Sequence, residues 1–233
     1  MRLARSVSCQ PRCPSTLAQA SVASSAASTG SNISSISSGV MIIGGQGNVA
    51  LRLAPLLVQR GDEVSSVFRN PDQQVEVAET GAHPIVADVA SLSTGELAEV
   101  FRDYDAVVWS AGAGGGSPEA TFALDRDAAI RSIDAAKAAG VSRYVMVSYL
   151  NSSPDHGVAE DDPFFAYAQS KAAADEHLRA SGLDFTILGP GVLTLDEATG
   201  AIDVVHGGQD MDNAVSRADV AAVAAAVLTE EAT

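Results

Sequence analysis

A short apolar run, a glycine-rich turn and an amphipathic stretch follow one another without interruption near residue 40. The run covers residues 40–43, the turn covers residues 45–50 with the sequence GQGNVA, and the amphipathic stretch covers residues 51–59. This succession predicts a buried strand, a tight turn and a helix. Because such a unit packs a helix against the strand before it, the chain is constrained to build a layered α/β fold around it.

The turn carries the spacing G-x-G-x-x-A, with Gly45, Gly47 and Ala50 at the small positions. Gly45 permits a tight turn, Gly47 lets backbone approach a pyrophosphate without an intervening Cβ, and Ala50 lets the helix pack close to the strand. Gly44 adds a second register, G-x-x-G-x-x-A. The helix N-terminus offers unpaired N–H groups to phosphates. The motif therefore predicts a dinucleotide site containing Gly44, Gly45, Gln46, Gly47, Asn48 and Val49.

Strand and helix patterns alternate through the remainder of the chain. Strands are predicted at residues 40–43, 63–69, 83–87, 106–110, 143–148 and 185–188. Helices are predicted at residues 51–59, 71–80, 94–102, 118–139, 164–180 and 216–230. The strands show little apolar–polar alternation, which indicates that helices cover both faces of the sheet. Since 233 residues suit one such unit, we expect a Rossmann-like doubly wound parallel sheet in a single NAD(P)-binding domain over residues 39–233.

Charge and composition narrow the class of partner. The formal net charge of −15 repels nucleic-acid backbones and anionic membrane surfaces. The only cysteines, Cys9 and Cys13, lie before the patterned part of the chain, and the four histidines are scattered without ligand spacing. No apolar run approaches the roughly 20 residues that span a bilayer. We therefore expect a small-molecule substrate, no direct nucleic-acid or membrane partner and no metal site, and a homodimer is compatible with the fold.

Residues 1–38 differ in composition from the rest. They are rich in Ser and Ala, include Arg2, Arg5 and Arg12, and precede the first acidic residue, Asp62. Such a segment lacks the apolar residues to pack into a core, so we expect a disordered leader. Its composition fits an organelle transit peptide, for a plastid or mitochondrion, and equally a start assigned too far upstream. Without a transit peptide the protein is expected in the cytoplasm.

The residue that ends the second strand distinguishes the two nicotinamide cofactors. An acid there binds the ribose hydroxyls of NAD, whereas an arginine pairs with the 2′-phosphate of NADP. The residue is Arg69, and no carboxylate lies in residues 67–71. NADP(H) is therefore favoured over NAD(H), the alternative being that Arg69 is only a surface cation.

Two further segments at strand ends are expected to contact the cofactor. Asp88 and Val89 follow the third strand, where a short acid can meet the adenine amino group, although Asp88 equally suits a turn cap. The fourth strand ends in Ser110, Ala111 and Gly112. Their small side chains would let a ribose lie against the backbone, although a merely flexible loop has the same composition.

Tyr167, Lys171 and Ser148 form the candidate catalytic set. Tyr167 and Lys171 are four residues apart on a predicted helix and share a face, and Ser148 ends the preceding strand at the carboxyl edge. A tyrosine with a pKa near ~10 is a weak acid unless a neighbouring ammonium stabilises its phenolate. Lys171 would provide that charge and reach the nicotinamide ribose, while Ser148 would hold the substrate oxygen. The alternative is that Tyr167 packs on the core and Lys171 is solvated.

With these residues assembled, the chain resembles the atypical short-chain dehydrogenase/reductase proteins with an NAD(P)H-binding, NmrA-like domain. The resemblance lies in residues 44–47 (GGQG), 67–71 (VFRNP), 138–145 (AAGVSRYV), 167–171 (YAQSK), 181–191 (SGLDFTILGPG) and 216–221 (SRADVA). It implies a Rossmann fold that binds NADP(H), in a family where some members reduce carbonyls, quinones or flavins and others are redox-sensing regulators. Gly189 stands where many relatives have arginine, which disfavours an anionic substrate.

Three hypotheses follow from these observations. The first is an NADP(H)-dependent oxidoreductase that reduces a small neutral carbonyl or quinone with Ser148, Tyr167 and Lys171. The second is a non-catalytic NADP(H) sensor that acts through a protein partner, which needs the glycine turn and Arg69 but not the Tyr–Lys pair. A nucleotide-sugar epimerase uses similar chemistry but is expected to carry a larger substrate-binding part after Pro190. The presence of the Tyr–Lys pair favours the reductase.

Overall fold

A computed structural model describes residues 6–9, 38–204 and 214–229. Its strands are β1 (Ser6–Cys9), β2 (Gly39–Ile43), β3 (Glu63–Phe68), β4 (His83–Val86), β5 (Ala106–Trp109), β6 (Arg143–Val147), β7 (Asp184–Pro190), β8 (Val192–Thr194), β9 (Asp203–Val204) and β10 (Ala214–Ser216). The main sheet has the order β4-β3-β2-β5-β6-β7-β1-β9, and β8 pairs with β10 in a second, two-stranded sheet. The strands from β4 to β7 in this order pair in parallel, which confirms the doubly wound parallel sheet.

The helices cover both faces of this sheet. They are α1 (Ala50–Arg60), α2 (Gln74–Glu79), α3 (Thr94–Phe101), α4 (Pro118–Thr121), α5 (Ala129–Ala139), α6 (Phe165–Ala180) and α7 (Arg217–Val227). One core cluster joins α1 and α7 to one face through residues such as Leu53, Leu57 and Val220. The other joins α3, α5 and α6 to the opposite face through Phe101 and Ile133 among others. Strand side chains are therefore buried on both sides, which is why the sequence shows little alternation.

The predicted elements of the domain are present, with boundaries that shift by up to two residues at most ends. The largest difference lies in the predicted helix over residues 118–139. There α4 and α5 are separated by the π-helical segment Phe122–Ala128, in which Asp125 and Ala128 are buried. The sequence prediction missed this segment because burial spacing alone does not report the backbone hydrogen-bond pattern.

Strands β1, β8, β9 and β10 were not predicted. Strand β1 lies antiparallel to β7, with Val7 opposite Pro190, so Ser6–Cys9 is a strand inside the segment for which we expected a disordered leader. Backbone pairing along the edge of β7 accounts for this difference, since it does not need an apolar pattern. Residues 1–5 and 10–37 of the predicted leader lie outside the described residues, and its assignment stays a prediction.

The strand order of the main sheet changes direction between β2 and β5. From β2 it proceeds outward to β3 and β4, and then crosses back to β5 on the other side of β2. Ligands of doubly wound sheets bind in the crevice that such a reversal opens at the carboxyl ends of the strands. This crevice is formed by the turn after β2 and the loop after β5, and β6 ends beside it.

The packing of helix α1 against the sheet, which positions one side of this crevice, can be tested by substitution. Leu53 is fully buried against the sheet, whereas Leu56 on the same helix is 39% exposed. Because Leu53→Ala leaves a cavity, we expect it to lower the free energy of unfolding by about 2–5 kcal/mol. Leu56→Ala is the matched control, with an expected loss below about 1 kcal/mol. Equilibrium urea unfolding measures both, and equal losses would contradict the described packing of α1.

Candidate active site

The turn after β2 packs too closely against its neighbours to accept side chains. Gly44 has φ +83°, and a Cβ there would lie 2.6 Å from the Cα of Ala111. A Cβ on Gly45 would lie 2.5 Å from the Cβ of Ser66. Both glycines are therefore required by contacts within the protein, in addition to any role beside a ligand. Gly47 donates its N–H to the Gly44 carbonyl over 2.8 Å, which closes the turn.

The N-terminus of α1 lies directly behind this turn and is left open. Its N-cap residue, Val49, provides no side-chain hydrogen bond. Helices α3 and α7 begin differently, because Ser93 and Ser216 cap their first N–H groups. Gln46 and Asn48 are exposed on the turn. A turn with glycine at residues 44, 45 and 47 and a helix of 11 residues without a side-chain cap fit a dinucleotide pyrophosphate.

Arg69 lies immediately after β3 and is exposed. On one side of it, Gln73 donates to the side-chain oxygen of Gln46 over 2.7 Å, which ties the glycine turn to the segment after β3. On the other side, the side chain of Asn70 accepts from the Asp72 N–H. Within residues 38–204 and 214–229 no ion pair engages Arg69. The exposed guanidinium of Arg69 is thus available to a phosphate.

The structure places Asp88 and Val89 in less specific environments. Asp88 is exposed, and its Oδ1 accepts from the Ala90 N–H over 3.1 Å, which is the turn-capping arrangement named above as the alternative. The side chain of Val89 is 7% exposed and belongs to the core. Contact of this pair with the adenine stays a prediction.

The loop after β5 is fixed from two directions. The Ser110 N–H donates to the Ile43 carbonyl, and Ala111 lies against Gly44. The Ala113 N–H donates to Oδ2 of Asp125 over 2.9 Å. Asp125 is 1% exposed and lies in the π-helical segment. The sequence analysis missed Asp125, because a single acid in a predicted helix gives no sign that the backbone will turn it inward.

Ser148 and Lys171 meet at the carboxyl end of β6. Both are buried, at 3% and 1% exposure. Nζ of Lys171 donates to the Val147 carbonyl over 2.6 Å, and Oγ of Ser148 donates to Oδ2 of Asp175 over 2.5 Å. Asp175 lies one helical turn beyond Lys171 on α6 and is fully buried. The sequence spacing of four residues places Tyr167, Lys171 and Asp175 on one face of α6. Asp175 was nevertheless not predicted as a site residue.

Burial has the largest effect on the pKa values of the Tyr–Lys pair. Burial lowers the pKa of Lys171, while Asp175 and Asp125 oppose this shift. Burial raises the pKa of Tyr167, and Asp125, Asp175 and Tyr149 raise it further. The Lys171 ammonium donates to the Val147 carbonyl in this structure, and the expectation that it stabilises the Tyr167 phenolate stays a prediction. The alternative of a solvated Lys171 is wrong, since its side chain is buried.

Aromatic side chains surround Tyr167. Its ring centroid lies 5.6 Å from that of Tyr149 and 5.3 Å from that of Phe164, and the Tyr149 and Phe164 rings lie 5.4 Å apart with their edges and faces in contact. Phe164 is 39% exposed. These three rings, which we call the aromatic wall, form an apolar cluster next to Ser148, with their planes inclined by 46° to 87° to one another. The sequence analysis did not include Tyr149 or Phe164.

The fold and this site define a nucleotide-binding α/β protein with its crevice at the carboxyl ends of a parallel sheet. A family model described as NAD(P)H-binding matches residues 44–231. The chain belongs to this NAD(P)H-binding family.

Relatives of known sequence are similar over most of the chain. The protein is 34% identical to the UPF0659 protein YMR090W of Saccharomyces cerevisiae over 72% of this chain and 71% of the relative. It is 32% identical to the Bacillus subtilis protein named uncharacterized sugar epimerase YhfK, over 83% of this chain and 89% of the relative.

Solved structures share the fold. The oxidoreductase ylbE from Lactococcus lactis superposes with a TM-score of 0.69 at 28% identity, over 82% of this chain and 85% of that one. ChuY, an anaerobillin reductase from Escherichia coli O157:H7, superposes with a TM-score of 0.64 at 25% identity, over 83% and 92%. The chain thus shares the architecture of oxidoreductases with NAD(P)-binding folds.

The described part of the chain contains neither a candidate metal cluster nor a candidate membrane-spanning helix. No cluster of three or more His, Cys, Asp or Glu side chains there is arranged to hold a metal ion. Among the same residues, no helix combines the length and the hydropathy needed to cross a bilayer.

Gly44→Ala tests whether the turn depends on the close approach to Ala111. Backbone strain at φ +83° costs about 1–3 kcal/mol by itself, and the overlap with Ala111 adds to it. We expect lower stability in urea unfolding and loss of NADPH binding, measured as energy transfer from Trp109, the chain's single tryptophan. Gly95→Ala is the control, because a Cβ there meets open space and the change is expected within about 1 kcal/mol of neutral. A stable Gly44→Ala variant with normal NADPH binding would contradict the described turn.

Proposed function

We propose that this protein is an NADP(H)-dependent reductase of a small neutral carbonyl or quinone. The observation that carries the proposal is the convergence of Ser148, Lys171 and the Tyr167 face of α6 at the carboxyl end of β6, beside the crevice formed by the glycine turn. A reduced nicotinamide bound in that crevice would supply a hydride. The protein would then position the acceptor and provide a proton.

The residues around the turn fit the adenine half of NADPH. The open N-terminus of α1 and the glycine turn suit the pyrophosphate. Arg69, in the segment that the Gln46–Gln73 contact ties to the turn, is the group that would pair with a 2′-phosphate. No acid takes the place of Arg69 at the end of β3. These features favour NADP(H) over NAD(H).

Tyr167 is the residue proposed to protonate the acceptor oxygen. Because burial and the nearby carboxylates raise its pKa, its phenol stays protonated at neutral pH and can donate a hydrogen bond. As hydride reaches the carbonyl carbon, the oxygen gains negative charge and becomes basic enough to accept the proton. Lys171 holds the end of β6 through Val147. Ser148 follows Val147, and its hydroxyl is hydrogen-bonded to Oδ2 of Asp175.

The surroundings of the site favour a flat and uncharged acceptor. The aromatic wall of Tyr149, Phe164 and Tyr167 suits contact with a planar ring. The net charge of −15 repels anions. Gly189 supplies no cation where a charged substrate would need one. The similarity to ylbE and to ChuY, which are named as an oxidoreductase and a reductase, supports the same reaction class.

Two other functions would use the same cofactor cradle. A sensor would bind NADPH without consuming it and pass the redox state to a protein partner. An epimerase, as the name of YhfK suggests for that relative, would return the hydride and produce no net oxidation of NADPH. Net NADPH oxidation by an added acceptor therefore separates the reductase from both.

Tyr167→Phe tests the proposed proton donor. We expect kcat for quinone or aldehyde reduction to fall by about 10²–10⁴, while NADPH affinity stays within twofold because the ring and its contacts remain. Tyr104→Phe is the matched control, since the Tyr104 hydroxyl hydrogen-bonds Oγ of Ser65 within β3. Steady-state NADPH oxidation and Trp109 energy transfer measure the two quantities. Tight NADPH binding without turnover on any acceptor would favour the sensor.

Arg69→Ala tests the preference for NADP(H). Loss of a charge-assisted contact to the 2′-phosphate is expected to weaken NADPH binding about tenfold and to leave NADH binding unchanged. Arg102→Ala changes the net charge equally but lies at the end of α3, where Arg102 pairs with Glu99. The dissociation constants of NADPH and NADH, measured for both variants, separate loss of a contact to the 2′-phosphate from a general effect of the changed net charge. Equal weakening of NADH and NADPH by Arg69→Ala would overturn the assignment.

A further inference from the structure

Three charged side chains lie together in the interior beside Ser148. Lys171, Asp125 and Asp175 are each 1% exposed or less. Lys171 attracts both carboxylates electrostatically. One oxygen of each carboxylate, Oδ1 of Asp125 and Oδ1 of Asp175, is buried and has no hydrogen-bond partner within the described residues. With all three groups ionised, this cluster would hold two negative charges and one positive charge away from water.

An excess charge in a protein interior is strongly unfavourable, and a titratable group there neutralises instead. Burial raises the pKa of both Asp125 and Asp175, and the positive charge of Lys171 opposes each shift. A single proton on one of the two carboxyls would leave one carboxylate paired with the ammonium. The hydrogen-bond geometry distinguishes which carboxyl can hold that proton.

Among the described residues, only Asp175 has a hydrogen-bond partner that could accept from its carboxyl group if that group were protonated. Oδ2 of Asp125 faces the Ala113 N–H, which can only donate. Oδ2 of Asp175 faces the hydroxyl of Ser148 at 2.5 Å, and a hydroxyl can donate or accept. A proton on Asp175 is therefore satisfied by reversal of the existing contact. A proton on Asp125 would have no acceptor among the described residues.

We propose that Asp175 holds the proton of this cluster and thereby sets the direction of the Ser148 hydroxyl. With Asp175 protonated, its O–H donates to Oγ of Ser148, and the Ser148 O–H is released to donate to a substrate oxygen. With Asp175 ionised, Ser148 donates to Oδ2 and its proton is withheld from the substrate. Asp175 is a positioning residue that acts through Ser148, and this inference rests on the proposed reductase function. The proton transferred in the reaction still comes from Tyr167.

The groups around Asp175 determine the direction of the pH dependence. They are Lys171, Arg179 and Tyr167 on α6, Ser148, Tyr149 and Ser152 after β6, and Asp125 on the π-helical segment. Lys171, the two serines and Arg179 favour the carboxylate, and burial favours the acid. Asp125 competes for the charge of Lys171. The reductase is thus active below the shared pKa of the cluster and loses activity as the pH rises through it.

Infrared spectroscopy of the protein without cofactor tests where the proton resides. A buried protonated carboxyl gives a C=O stretching band apart from carboxylates, and we expect such a band in the wild type that fades as the pH rises. Ser148→Ala should shift the band, because it removes the hydrogen-bond partner of Asp175. Ser170→Ala is the matched control, since Ser170 is equally buried on α6 and donates to the Ala166 carbonyl. Absence of the band, or a band unmoved by Ser148→Ala, would overturn the inference.

The pH profile of kcat/KM tests the consequence for catalysis. In the wild type we expect a loss approaching tenfold per pH unit above the pKa of the cluster. Asp175→Asn should remove this falling limb, because an amide N–H permanently donates to Ser148. Asp125→Asn should move the limb to lower pH and remove the infrared band at neutral pH, because Lys171 then pairs with Asp175 alone. An Asp175→Asn profile parallel to the wild type would overturn the inference.

These two measurements fail independently. Suppose that the carboxyl band shifts with Ser148→Ala but the protein turns over no acceptor. This result would overturn the proposed function and still support a proton on Asp175. Turnover that depends on Tyr167 without any such band would support the proposed function and overturn the inference.

Discussion

The close approach of the turn after β2 to the loop after β5 is the contact on which the rest of the site depends. Gly44 lies so near the backbone of Ala111 that a Cβ cannot be accommodated. This contact places the open end of α1 and the loop after β5 on the two sides of one crevice. The same loop is held through Ala113 by Asp125, so the cofactor cradle and the buried charge cluster share a segment of backbone. A change in one is transmitted to the other through a single loop.

The buried charges are better explained by positioning than by stability. Removing an ammonium and two carboxylates from water costs more than their attraction returns unless every polar atom is paired, and two carboxylate oxygens here are unpaired. Apolar side chains of the same volume would fill this interior at lower cost. What the charges provide is orientation: Lys171 fixes the end of β6, Asp175 fixes Ser148, and Asp125 fixes the loop after β5.

The sequence was sufficient for the parts of the structure that follow from local patterns. Strands β2 to β7, the helices flanking them and the place of the glycine turn depend on hydrophobic spacing and on glycine, and most of their ends were predicted to within two residues. Asp125, Asp175 and Tyr149 were missed because their roles arise from contacts between distant segments. A single acid on a helix has the same local signature whether it is solvated or buried. The π-helical segment and the pairing of β1 with β7 were missed for the same reason.

Backbone groups form most of the proposed cofactor-binding half of the site, whereas side chains form the proposed reacting half. Cofactor binding and reaction chemistry therefore depend on different groups. The proposed cradle consists of backbone conformations and a helix end, with Arg69 after β3 and Arg52, which donates to the Asn48 carbonyl, as charged side chains near it. The reacting part consists of side chains from α6, from the residues after β6 and from the π-helical segment. Side chains can be exchanged without disturbing the cradle, so proteins with the same nicotinamide site can reduce, epimerise or only sense. In this chain the Tyr167 face, the aromatic wall and the charge cluster are the features that favour reduction.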